Sequence, residues 1–227
     1  GLAADAPAEV PLTEVLRFLR EHRALFGGHF LGFSLLALAF NAVAFWMPPY
    51  LQRVHGLSPG EFGTPFGLIL AIAGAAGVGA GGAAADFIRR RGVADAELWP
   101  GIASALALWP LGVLTAQASD GWSALAWFAA FMFASSFPFA AAASGLQAVS
   151  PNRLRGQVSA LYLFAVNLAG IGLGSFLTGF VNDYVYADET RIDDSLAWIV
   201  TVAAPLAALL LVLARRPFSE RSRLVGG

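Results

Sequence analysis

Residues 62–85 read FGTPFGLILAIAGAAGVGAGGAAA, and residues 86–91 continue DFIRRR. Twenty-four consecutive positions carry no charge. At ~1.5 Å per residue, about 20 such residues as a helix cross the hydrocarbon core of a bilayer. The stretch ends on an aspartate and three arginines, so the helix leaves the lipid there. Within it, Ala73, Gly77, Gly81 and Ala85 recur at four-residue spacing, and Gly63, Gly67, Ala71, Ala75 and Gly79 form a second stripe. Small residues on one helix face let backbones approach closely, which in lipid is a main source of helix association. The stripes serve either static packing or helices that rock against partners.

Working outward, five more stretches have the same character. The spans fall at roughly 26–51, 62–85, 98–118, 122–148, 157–181 and 195–214. Their interiors hold no Asp, Glu or Arg, and the connections hold nearly all the charge. One side collects Arg17, Arg20, Arg23, Arg89, Arg90, Arg91, Arg153, Arg155, Arg215, Arg216, Arg221 and Arg223; the other has only Arg53 and Arg191. Twelve against two sets the orientation, because positively charged loops stay in the cytoplasm. Both termini are therefore expected on the cytoplasmic side, which agrees with an even number of spans.

Composition supports the same class. Hydrophobic residues make up 57% of the 227 positions and charged residues 13%, with no cysteine; mean hydropathy is +0.66. Soluble domains carry nearer ~25% charge. Disulfides and cysteine chemistry are excluded, His22, His29 and His55 are too scattered for a metal cluster, and no cofactor is implied. A net charge of −1 gives no ground for a nucleic-acid partner. The sequence divides into a cytoplasmic linker over 1–24, a six-helix membrane bundle over 25–216 and a cytoplasmic tail over 217–227. In the linker, Ala3 to Ala8 reads as flexible. Leu12, Val15, Leu16 and Leu19 recur at helical spacing beside Arg17, Arg20 and Arg23, as in a helix lying on phospholipid headgroups or in a solvated turn.

The connection after span two, Gly82 to Arg91, has a glycine, an aspartate four residues on, and a basic cluster. It resembles the signature loop of the major facilitator superfamily, departing at Phe87 and Arg89. Around span five, Arg155-Gly156, Asn167 with Gly170 and Gly174, and Gly179 with Asn182-Asp183 resemble the penultimate helix of those transporters. Ala44 to Pro48 and Phe66 to Ile69, with Gly74 and Gly77 to Gly79, are similar to the spinster-like branch. The resemblance runs from about Arg17 to Arg216. It implies an all-α membrane protein in which six transmembrane helices form two inverted three-helix repeats, one half of a facilitator fold. The implied partners are the lipid bilayer, an amino-terminal six-helix bundle of the same transporter, and a small-molecule or lipid-like substrate. The expected setting is a bacterial inner membrane. A half-sized protein that dimerises, or acts as a non-transporting partner, is the other reading.

In that arrangement spans one and four line the central cavity. Asn41, Phe45 and Trp46 in span one, Met132, Ser135, Ser136 and Phe139 in span four, and Asn167 in span five are then candidate substrate-binding residues. An aromatic and methionine wall with few polar groups suits an amphiphile; each hydroxyl or amide can also bond its own helix. Pro138 marks a kink. The resemblance places the cytoplasmic ends of spans two and five side by side, making Asp86, Arg90 and Arg155 candidate gating residues. His29 reads as an interfacial anchor rather than a proton carrier. Ala143-Ser144-Gly145 resembles an intramembrane serine protease turn, but no histidine follows it to act as base. An enzyme is not expected.

Overall fold

Lipid cannot satisfy a free backbone N–H or C=O, so each apolar stretch closes its own hydrogen-bond ladder as a helix. The computed structural model describes residues 10–188 and 190–226; the linker reading over Ala3 to Ala8 lies outside them. A short helix, α1 (Leu12–Glu21), precedes span one, α2 (Arg23–Arg53). Span two, α3 (Pro59–Arg90), opens on a capping box between Ser58 and Glu61. Span three is α4 (Trp99–Ala116), led in by a tight turn over Ala96–Leu98. Span four is divided into α5 (Gly121–Ser136) and α6 (Phe139–Val149). Span five begins as α7 (Arg155–Asn167), widens to π-helical turns over Leu168–Gly174, returns to α8 (Ser175–Phe180) and widens again over Val181–Tyr186. Span six is α9 (Ile192–Gly226), which continues unbroken through Pro217, so the segment from 217 forms its last turns. All six spans are long and apolar enough to cross a membrane.

The packing has an internal symmetry. Span one lies against spans five and six, span four lies against spans two and three, and spans three and six meet each other. Exchanging one with four, two with five and three with six leaves that pattern unchanged, as two inverted three-helix repeats require. Spans two and five are the flanks: only 17% of the apolar window is buried in each, against 44–56% in the other four.

Glycines bring the paired helices together, and in matching places. Gly77 and Gly81 of span two lie under the Phe133 and Phe137 carbonyls of span four, with no room for a side-chain carbon. Gly170 and Gly174 of span five lie against Ala37, Leu38 and Asn41 of span one; a β-carbon on Gly174 would sit 2.7 Å from the Leu38 carbonyl oxygen. Pro138 explains the shape of span four. Lacking an N–H, it interrupts the ladder. The Phe137 N–H bonds the Ala134 carbonyl at 3.3 Å, and the Phe133 carbonyl, three residues before the break, rests on Gly77.

Candidate substrate wall and ion pairs at the arginine-rich end

Spans one, four and five converge on a small cavity of about 30 Å³ lined by Phe33, Leu36, Ala37, Phe40, Ser135, Phe139, Ala142, Tyr162 and Val166. Phe40 meets Phe139 edge-on at 6.1 Å between ring centroids. On the outer face of span five, Leu163, Phe164, Asn167, Leu168, Ile171 and Gly172 form a wide, open apolar groove. The wall is therefore mostly aromatic and aliphatic, with the Asn167 amide as its exposed polar group.

The candidate binding residues divide by where they point. Phe45, Phe139 and Asn167 are exposed. Met132, Ser135 and Ser136 are buried in the packing of span four: the Ser135 hydroxyl donates to the Met132 carbonyl at 3.0 Å, and Ser136 lies beside Gly74 and Gly77 of span two. Only Ser135 and Phe139 of the span-four set border the cavity. Asn41 is held between its own helix, donating to the Ala37 carbonyl at 2.8 Å, and Gly170. The Trp46 indole donates to the Ser175 carbonyl at 3.0 Å, where the π turns hand over to α8. π segments inside α-helices are frequent at functional positions. Here Asn41 and Trp46 clasp the two sides of that irregular stretch. Asn167 donates to its own Leu163 carbonyl at 2.8 Å.

In this region the sequence reading misplaced one residue, His29, and missed another, Tyr162. His29 is fully buried beside the Ala142 backbone, against the Phe33 ring at 4.6 Å and the Tyr162 ring at 5.4 Å, and neither ring nitrogen has a well-formed hydrogen bond among the described residues. This corrects its reading as an interfacial anchor: span five covers the side that residue counting from Arg23 places near the interface. Tyr162 was detectable as the tyrosine inside the apolar run of span five. Ser144 donates to the Ala141 carbonyl of its own helix at 3.1 Å.

The expected gate needs a correction. Spans two and five occupy opposite flanks of the bundle, so Asp86 does not reach Arg155. Asp86 pairs with Arg89 one turn on, and Arg155 donates to the Ser150 carbonyl at 3.1 Å. Arg90 is exposed. The buried acids of this face are Asp95 and Glu97, 4% and 5% exposed. Arg89 bonds Glu97 at 3.1 Å, tying span two to the turn before span three. Arg215 of span six bonds Asp95 at 2.6 Å and lies over the Trp99 ring. Gly145 of span four packs on the Glu97 stem and on Phe218. Four spans are thus fastened at the end of the bundle that carries the arginine clusters. Because Asp86 and Arg89 are each about half exposed, Asp86→Asn is expected to cost no more than ~1 kcal/mol. Thermal unfolding in detergent should show a midpoint within about two degrees of the parent.

A six-helix membrane bundle with inverted repeats and an open apolar wall is the architecture of half a secondary transporter. The Major Facilitator Superfamily family model matches residues 2–175, and the chain belongs to that superfamily of transporters. Among solved structures it is similar to a bacterial homologue of the human lysosomal transporter Spinster. The inward-facing, unoccupied form matches at 20% identity and a TM-score of 0.62, covering 97% of this chain and 53% of that one. The inward-facing, occupied form matches at 21% identity and 0.57, covering 88% and 49%. The chain thus spans about half the length of these relatives. No curated protein matches it.

Proposed function

We propose that the chain is the second six-helix bundle of a transporter that moves a small, amphiphilic or lipid-like solute across a membrane by alternating access. One observation carries this reading. Gly63, Gly67, Ala71, Ala75 and Gly79, the second small-residue stripe of span two, all stand exposed, and Gly63, Gly67 and Gly79 have nothing within 4 Å of a β-carbon position. A helix face built for close backbone approach, facing no helix of its own bundle, is suited to a second bundle. The relatives' length, about twice that of this chain, supports the same partner.

In this reading the two bundles enclose the solute between them. Phe45 and Phe139 give it an apolar wall, and Asn167 offers a single amide to a polar head. Asn41 and Trp46 position the π-helical stretch of span five, whose widened turns give that helix freedom to bend. The acidic groups of the spans stand at their ends and none in their apolar interiors, so ion coupling belongs to the other bundle. The branch is spinster-like and the membrane a bacterial inner membrane.

The orientation follows from the arginine count, with both ends of the chain and the connections after spans two and four in the cytoplasm. The cysteine-free chain permits a clean test with single cysteines. Ser119→Cys and Thr190→Cys are expected to react with a membrane-impermeant thiol reagent added to intact cells, and Asn152→Cys is not. Labelling at 152 with silence at 119 and 190 would reverse the topology.

A further inference from the structure

Helix α1 has a wider apolar arc than the bundle covers. At about 100° per residue, Phe18, Val15, Leu19, Leu12 and Leu16 follow one another around the helix, and Arg20 and Arg17 come next. Val15 and Phe18, on one side of the arc, are buried against the bundle. Leu12 and Leu16, on the other side, are 55% and 51% exposed. The helix is held in that attitude at three points. Glu14 pairs with Arg153, Gln157 donates to the Val10 carbonyl at 2.7 Å, and the Arg221 guanidinium lies over the Phe18 ring. Gln157 belongs to the first turn of span five, so these ties fix α1 at the level where the spans leave the hydrocarbon.

Beside the exposed leucines stand three arginines. Arg17, Arg20 and Arg23 are exposed, and none makes an ion pair or side-chain hydrogen bond among the described residues. Of the two acids on α1, Glu14 is already engaged and Glu21 alone faces them. The edge continues into a cleft of about 330 Å³ of mixed charge, where Glu21, His22 and Arg23 face Glu220, Arg221 and Leu224 of α9, and Glu220 is engaged by Arg216. Exposed leucines next to exposed arginines, at the depth of the headgroups, match an anionic phospholipid in both its parts.

We propose that α1 is a docking surface for anionic phospholipid, with Leu12 and Leu16 in the acyl layer and Arg17, Arg20 and Arg23 on the phosphates. The inference rests on the membrane placement of the bundle and not on transport, so flux assays and this test fail independently. The whole chain carrying Leu16→Cys, labelled with an environment-sensitive fluorophore, is reconstituted in lipid nanodiscs. Brominated phosphatidylglycerol is expected to quench the label about twofold or more over an equal fraction of brominated phosphatidylcholine. Molar salt, or Arg17→Gln/Arg20→Gln/Arg23→Gln, should bring the two lipids to parity. A label at Leu106→Cys, on the exposed side of span three, should be quenched equally by both lipids and reports correct insertion in every variant. Three results would overturn the proposal: quenching at 16 by water-borne iodide in place of bromolipid, equal quenching by the two lipids in the parent, or shielding from every quencher. The last would mean that a second copy of the chain covers the leucines.

Discussion

Gly81→Ala is expected to destabilise the bundle by about 3 kcal/mol or more, at the top of what overpacking usually costs. The added methyl group would land on the Phe137 carbonyl. That atom is backbone at the break before Pro138, so no rotamer change relieves the clash. The two helices must separate instead, and separation also loosens the neighbouring Gly77 contact and the Phe66 ring stacked on Phe128 at 5.5 Å. Gly79→Ala, two residues earlier in the same helix, adds its methyl to open space. Removing a helix glycine there should leave stability unchanged or slightly raised. Tryptophan fluorescence on heating in detergent measures both. A Gly81→Ala midpoint equal to that of Gly79→Ala would contradict the described packing of spans two and four.

Arg215→Ala has the next largest expected effect. It strands the Asp95 carboxylate, whose side chain is 6% exposed, and removes the guanidinium from the face of Trp99. Breaking a fully buried pair costs ~3–5 kcal/mol. Arg215 is itself 37% exposed, so solvent screening brings the expectation down to about 2–3 kcal/mol. Asp95→Asn in the Arg215→Ala background should recover part of the loss, because no buried charge is then left alone. In a double-mutant cycle the coupling should reach about 1 kcal/mol or more. Strictly additive losses would show that the two residues do not depend on each other.

These predictions also mark where the sequence runs out. The six spans and both glycine stripes are visible as spacing, because a lipid-facing helix must be apolar throughout and a close contact must be small. Spacing cannot say which stripe turns inward. That depends on the Phe133 and Phe137 carbonyls of span four, which lie on Gly77 and Gly81 while Gly63, Gly67 and Gly79 meet open space. The same limit holds for Met132, Ser135 and Ser136: their shared face is periodic, but the face turns into the core. Asp95 and Glu97 look like ordinary charges at a basic membrane edge, and only the fold brings Arg215 to Asp95 across 120 residues. Asp86 and Arg155 stand apart for a topological reason, since the inverted repeats put spans two and five on opposite flanks.

The central claim is that this bundle closes against another one through the exposed face of span two. The direct measurement is thiol reactivity and cross-linking of Gly67→Cys in the otherwise cysteine-free chain. In the 227-residue chain alone in nanodiscs, the cysteine should react freely with a lipid-soluble maleimide. Co-expressed with the proposed amino-terminal bundle, it should become protected, and a bifunctional thiol reagent should join it to single cysteines on that bundle. Gly67→Leu should abolish the association while leaving insertion intact. A Gly67→Cys that remains equally reactive beside the second bundle, or that cross-links only to another copy of itself, would contradict the account and make the chain a dimerising half.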